Sequence, residues 1–552
     1  MKPVNPPDVP RSFLERKFPF SEKIKAALKK LRDAGDDRRS VTLSHLTDLE
    51  REFVLKTAHL PEDVDLAAYC EAWIRTRQRF AMPRVRDYVD DLAVMLGQPE
   101  VLACLLGGWA NPPRRSTGPT PSHTGSKGVM LVEAALGISP HTDDNFEYLR
   151  GNPEAQEVCA RAMDEAAHLA GEESVPFRLA NSTDSVLRHM HGARNATGLA
   201  ATLGDSAMEA NVRMLRSLAA LYPNMPICET AGIDGTAVAA WVEQTKGFTK
   251  DQEALLRSRV PCAGFRFYSY DGGKHDVAEG EKVDAKRVKF WRGYYLVVLV
   301  DFCTGRPIVW TLVDASWDEA KTLHELLRVL YELWPDCPLK TIVGDGAWDE
   351  DWAHELCEVN YGVHLVASRT DERRLNAEHP VSERQSEVIA YFNGRGEAFC
   401  RAHREPLKRL GSGFPKSRDE LGLAPGEAAP EAQFRVRFKC EHGCGTPSLQ
   451  MRRHWTALAH YPHAPNGQRK RFAERHALLA HRNVCESLFN ALKVGHGIAT
   501  SGADRLRLND FDTVHALVDL SFCMGTALML GHERNKLGVG YATPERPQQL
   551  AA

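Results

Sequence analysis

The hydrophobic pattern of this chain changes period once, near residue 225, and that change limits the fold more than any other feature. Before it, Pro153 to Leu169 and Ser182 to Tyr222 repeat apolar residues at i, i+3 and i+4, the spacing of one helix face. After it come short β-branched runs bounded by turn residues. Ile227 to Ile233 leads into Asp234-Gly235-Thr236. Tyr294 to Asp301 (YYLVVLVD) and Ile308 to Val313 flank a turn at Thr304-Gly305-Arg306-Pro307, which predicts a hairpin. A helix over Glu319 to Leu333 follows, then a buried strand over Leu339 to Val343 that ends at Gly344-Asp345-Gly346. A helix over Asp349 to Asn360 and a strand over Val363 to Ala367 complete the alternation. Strands first and helix–strand alternation afterwards predict an α/β fold with a mixed sheet and flanking helices. From about Arg369 to Arg471 the order weakens, with one strand pattern at Gln433 to Lys439, so this part reads as a partly β insertion. Helical spacing returns over Glu474 to Lys493 and Phe511 to Leu530.

The rest of the 552 residues adds helices and few charges in excess. Phe20 to Leu31 and Asp63 to Phe80 carry helical spacing, so the N-terminal region reads as all-helical. Asn111 to Gly128 is rich in Pro, Gly and Ser and reads as a linker. Thr197 to Leu203, Gly204-Asp205 and Ser206 to Leu221 have helix-turn-helix spacing, which ordinary helical packing explains as well. Net charge is −3, so any nucleic-acid surface must be local. The thirteen scattered cysteines predict reduced thiols and a cytoplasmic location. No signal sequence and no run of eighteen apolar residues is evident, so no membrane partner is expected.

Three carboxylates stand out. In HRNVCESLFNALK, Arg482, Glu486 and Lys493 are four and seven residues apart, about one and two helical turns, and would form one polar stripe while Val484, Leu488 and Leu492 bury. A carboxylate between two cations suits a metal ion beside a phosphate backbone; a solvated face with ion pairs has the same spacing. Asp234 and Asp345 are expected at strand ends, each with small neighbours that let another group approach. Taken singly, Asp-Gly at either place fits a simple turn. Together with Glu486 they make a hard oxygen set for two divalent ions about 3.5–4 Å apart, Mg²⁺ or Mn²⁺ rather than Zn²⁺. Periodicity alone favours Asp301, at the end of the strongest strand, as the first of the three.

These motifs resemble those of DDE transposases of bacterial insertion sequences. Ile-Asp-Gly-Thr (233 to 236) looks like that family's first-aspartate strand, and Val-Gly-Asp-Gly-Ala-Trp (343 to 348) like its second-aspartate motif, with Trp348 where tyrosine is usual. Arg482, Glu486 and Lys493 fit the subgroup signature Tyr-x2-Arg-x3-Glu-x6-Lys, with Leu479 in place of the tyrosine. The resemblance implies an RNase H-like core over 227–368 and 472–535, an insertion over 369–471, a DNA-binding helical region over 1–107, a linker and helical region over 108–226, and a tail over 536–552. It favours Asp234 over Asp301 as catalytic. It implies catalytic and metal-ligating Asp234, Asp345 and Glu486, and Arg482 and Lys493 on the scissile backbone. Implied partners are double-stranded DNA with terminal inverted repeats, target DNA, and a second copy of the chain in a homodimer. The rival readings are an RNase H-like nuclease without strand transfer and an inactive, DNA-binding relative.

Two further groups carry expectations. Arg287 and Lys289 lie in a basic stretch before the strongest strand, and Arg471 and Arg475 lie in another before Glu486; both could contact phosphates. Cys400 and His403, then Cys440, His442 and Cys444, could supply one tetrahedral structural Zn²⁺ from Cys400, His403, Cys440 and Cys444. Unligated thiols in a loosely packed insertion are the alternative.

Overall fold

A computed structural model describes the chain from residue 69 to residue 539; the longer stretches outside the description are 1–68, 107–122, 192–202, 240–263, 270–287, 368–377, 414–434, 451–467, 496–510 and 540–552. The predicted helix over Phe20 to Leu31, residues 111–122 of the predicted linker and the first half of the helix-turn-helix spacing therefore lie outside the described residues. The rest of that linker, His123 to Gly128, is not a linker but the start of a helix, His123–Leu136, with Thr124, Ser126 and Lys127 buried. The chain divides into two compact units, 78–342 with 483–552 and 1–77 with 343–482.

The first of these holds α1 (Tyr88–Leu96), a π-helix (Val101–Leu106), α2 (His123–Leu136), α3 (Thr142–Gly151), α4 (Pro153–Leu169), α5 (Thr183–His191) and α6 (Ser206–Leu221). Local chemistry starts them. Asp87 caps α1 by accepting from the Val89 and Asp90 N–H groups, and Asn152 caps α4 ahead of Pro153 in the first turn. The sheet follows: β1 (Thr230–Ala239), β2 (Gly264–Ser269), β3 (Val288–Asp301) and β4 (Pro307–Asp314). β3 pairs antiparallel with β1, β2 and β4 and is the hub of the antiparallel part of the sheet. Gly305 at φ 69° closes the β3–β4 turn, a conformation that favours glycine. α7 (Thr322–Leu333) then packs on β3 and β4, and the chain returns as β5 (Thr341–Gly344), next to β1 in the order β2-β3-β1-β5. The division falls within β5, whose last two residues belong to the other unit, where it neighbours β6 (His364–Ala367). The sheet is mixed, as expected.

In the second unit, Gly346–Trp348 forms a 3-10 turn, and α8 (Asp351–Glu355) and a π-helix (Leu356–Tyr361) lead to β6. Among the described residues the insertion holds two three-stranded sheets: β7 (His379–Pro380), β8 (Ile389–Phe392) and β9 (Ala398–Cys400) in one, and β10 (Lys408–Gly413), β11 (Arg435–Lys439) and β12 (Ser448–Gln450) in the other. α9 (Gln468–His481) closes this unit and packs on β6. α10 (Asn483–Gly495) and α11 (Phe511–Leu537) belong to the first unit. α11 has the length and mean hydropathy of a membrane span, but 89% of its most apolar window is buried within the protein. It packs against α1, α2 and α6 and is the core helix of its unit. α6 spends its apolar face on this packing, and its Asn211 donates to the Pro307 and Ile308 carbonyls at the start of β4.

Two boundaries differ from the sequence reading in ways that matter. Glu474 to Lys493 is two helices, with Arg482 at the break and its N–H bonded to the Leu479 carbonyl at 3.2 Å. The stripe of Arg482, Glu486 and Lys493 is therefore not continuous; only Glu486 and Lys493 share a helix. Asp234 lies in the middle of β1, opposite Val298, and not at a strand end. Gly235 marks a close approach instead of a turn: a Cβ there would meet the Tyr295 ring at 2.2 Å.

Candidate functional site

β1 positions Asp234, and α10 lies over the same strand. Gly232 and Asp234 project to one face because alternate strand residues do. A Cβ at Gly232 would stand 2.6 Å from the Cys485 Sγ and 2.9 Å from the Phe302 ring, so the absence of a side chain lets α10 seat its thiol on the strand. Cys485 is wholly buried, and Val484, Leu488 and Leu492 are buried beside it, so the helix is held by its apolar stripe. Glu486, the next residue, is exposed. Lys493 lies two turns further on the same stripe as Glu486. Desolvation pulls the Lys493 ammonium below its ordinary range, and the Asp234 carboxylate pushes it back up. Asp234 is half-buried and accepts from the Gly235 N–H at 2.9 Å.

Asp301, the alternative first aspartate, has a different occupation. Its side chain is fully buried, and both oxygens are used. Oδ1 accepts from the Cys228 and Cys303 N–H groups at 2.9 and 3.3 Å, and Oδ2 from the Thr304 N–H and hydroxyl at 2.9 and 2.7 Å. Burial pushes the Asp301 carboxyl up to about 6, against the pull of those hydrogen bonds. A carboxylate saturated by its own turn has no open oxygen for a metal. Asp301 is a structural residue of the β3–β4 turn.

In the other unit, Asp345 follows β5 directly and caps the 3-10 turn by accepting from the Ala347 N–H at 2.9 Å. Its second oxygen faces the Arg482 guanidinium at 3.8 Å, with both groups part-exposed. Each unit thus sets one predicted carboxylate within electrostatic reach of one predicted cation: Asp234 of Lys493, and Asp345 of Arg482.

Arg475 departs from the sequence expectation. It is buried, 3% exposed, and its guanidinium donates to the Ala367 carbonyl at 2.7 Å, fastening α9 to the end of β6. It presents no surface to a phosphate. Lys289 falls on β3 opposite Tyr268, and Arg471 falls on α9; Arg287 and the side chains of Lys289 and Arg471 lie outside the described residues.

The insertion brings Cys400, His403, Cys440 and Cys444 together as a group able to hold a metal ion, their ligand atoms all within 4.8 Å of one another. Burial resists ionisation of the Cys440 thiol, but backbone N–H groups of Cys444 and His442 and the neighbouring thiols outweigh it and lower its pKa. His442, the fifth candidate, instead pairs with Glu405 at 2.5 Å. The four residues are those the sequence reading named.

No protein-family model matches the chain, and no curated protein or solved structure does so either.

Proposed function

We propose that the chain is a DNA transposase of the DDE type, cutting the ends of a mobile element and joining them to target DNA. One observation carries this reading: the helix bearing Glu486 and Lys493 is seated through Cys485 on the strand face that bears Asp234. Strand order supports it. Antiparallel strands come first and helix–strand alternation follows in one mixed sheet, which is compatible with the expected α/β core. The exclusion of Asp301 agrees with Asp234 as the first aspartate.

The donor set fits a hard divalent cation. Asp234 is half-buried, Asp345 part-exposed and Glu486 exposed, so their oxygens are reachable, and all are carboxylate oxygens, which suit Mg²⁺ or Mn²⁺. Two such ions held by Asp234, Asp345 and Glu486 would activate a water or 3′-hydroxyl and stabilise the leaving oxygen. The chain's own cations do the remaining work. Arg482 offers a planar guanidinium for bidentate contact with a phosphate, and Lys493 a point charge two turns beyond Glu486. Lys493 is partly desolvated, so its charge is screened less than that of a surface lysine. The Cys3His group has the softer donors that select zinc, which gives this reading a second, structural metal.

Plasmid nicking tests the catalytic part. The full chain is expected to nick supercoiled DNA with Mg²⁺ or Mn²⁺ and not with EDTA. Asp234→Asn, Asp345→Asn and Glu486→Gln should each lower the rate at least 100-fold while the proteins remain folded. Unchanged nicking by any one of them would remove that residue from the site.

A further inference from the structure

We propose that Cys400, His403, Cys440 and Cys444 form a closed structural zinc site, and that this metal folds the insertion. The inference stands independently of the transposase reading, because it concerns other residues and another metal.

Five of the six distances among the donor atoms are close to the edges of a zinc tetrahedron. With zinc–sulfur and zinc–nitrogen bonds of about 2.3 and 2.0–2.1 Å, the edges should be about 3.8 Å between sulfurs and about 3.6 Å from sulfur to nitrogen. The Cys400 sulfur lies 3.7 Å from that of Cys440 and 3.8 Å from that of Cys444. His403 Nδ1 lies 3.6, 4.0 and 3.3 Å from the sulfurs of Cys400, Cys440 and Cys444. Disulfide bonding needs about 2.05 Å, and all three thiols are free.

Backbone turns aim the ligands. Cys400 ends β9, and the Arg404 N–H returns to its carbonyl at 2.8 Å with Arg404 at φ 58°. Cys440 follows β11, where the Gly443 N–H bonds its carbonyl at 3.2 Å and its own N–H bonds the Gly445 carbonyl at 3.1 Å. Gly443 at φ 82° and Gly445 at φ 135° make this second turn possible. A left-handed non-glycine residue is costly, so the Arg404 turn needs something to hold it. A metal on the flanking residues does so. The ring of His442 stacks on that of His403 at 4.4 Å, and Glu405 in turn holds His442.

The metal is structural and not catalytic because four protein donors fill its coordination. As it binds, the three thiols release their protons to solvent, leaving a site of net charge −1. It also supplies what the packing lacks. One ligand pair comes from the sheet of β7–β9 and the other from that of β10–β12, and among the described residues the insertion's core is small: Val381, Ile389, Phe392, Ala398, Leu407 and Phe438 pack beside Cys400 and Cys440 themselves. Cores of this size ordinarily need a metal or disulfide.

The test uses the full chain purified without added metal. Zinc content by mass spectrometry is expected to be about one ion per chain, as one closed site requires. Co²⁺ exchanged into the site should give the intense thiolate-to-metal absorption and visible bands of tetrahedral coordination. Cys444→Ser is the main variant, because Cys444 is exposed and its loss opens no core; Cys440→Ser is the second. Each should lose zinc at least tenfold more readily, while Cys357→Ser, a buried thiol elsewhere, retains it. Removing zinc with a strong chelator should turn residues 379–450 protease-sensitive and leave 78–342 resistant. A chain with no zinc and no cobalt spectrum, or a Cys444→Ser chain that holds zinc as tightly as wild type, would overturn the site. Unchanged proteolysis after zinc removal would overturn its role in folding.

Discussion

Replacing Gly232 with alanine perturbs the candidate site through one contact. The new methyl carbon would stand 2.6 Å from the Cys485 sulfur and 2.9 Å from the Phe302 ring. Both neighbours are buried, at 0% and 2% exposure, so neither can swing into solvent. The helix or the strand must shift, and inserting a carbon into a packed core costs about 1–3 kcal/mol. The shift moves α10 away from β1, and with it Glu486 and Lys493. Urea unfolding should therefore show a lower midpoint for Gly232→Ala, and DNA nicking should fall further than the lost folded fraction explains. Cys485→Ala removes the nearer of the two colliding atoms, so the double variant should be more stable than the two single effects added together imply. The coupling should be about 0.5–3 kcal/mol, the range for residues in contact. A wild-type midpoint for Gly232→Ala, or strict additivity with Cys485→Ala, would refute the claim that this contact seats the helix.

Further expectations concern Asp301, Arg475 and Arg482. Asp301→Asn should retain metal-dependent nicking, while its lost acceptor opposite Thr304 lowers stability by about 1–3 kcal/mol. Burial holds the folded Asp301 carboxyl at about 6 against 3.8 for the free group, so between those values the native state binds more protons than the unfolded chain. Its contribution thus makes stability fall as pH rises from about 4 to about 6 and level off above, and Asp301→Asn should flatten that part of a urea-midpoint profile. Arg475→Ala should lower stability through the lost bond to Ala367 without changing the salt dependence of DNA binding. Arg482→Ala should reduce the salt slope by about 1, as expected for one phosphate contact removed.

The apolar run of β3 was legible because alternate faces of a central strand are both buried, but its first part, Val288–Gly293, is charged and aromatic and hides the strand's true start. β1 was placed too early because Asp234-Gly235 reads as a turn; only the Tyr295 ring over Gly235 shows why a glycine stands inside a strand. The break at Arg482 was invisible because apolar spacing runs through Ala477, Val484 and Leu488 without interruption. Asp301 and Asp234 could not be separated by pattern. A carboxylate at a strand end and one saturated by its own turn look alike until Thr304 and Cys228 are seen to donate to it. Arg475 was misread for the converse reason: a cation among other cations suggests surface, and nothing local shows that Ala367 waits for it. The four candidate zinc ligands were legible from residue type and spacing, but that their donor atoms converge within 4.8 Å is visible only in the fold.

The central claim is transposition, and mapping DNA ends tests it most directly. The full chain would be incubated with Mg²⁺ and a DNA carrying both ends of the sequence that flanks its own gene, together with a separate target DNA, and all free 3′ ends and joined products sequenced. The transposase account requires cuts at the same two end positions, those 3′ ends joined to target DNA, and neither product with Glu486→Gln. Cuts without any joined product, or products unchanged in Glu486→Gln, would contradict it.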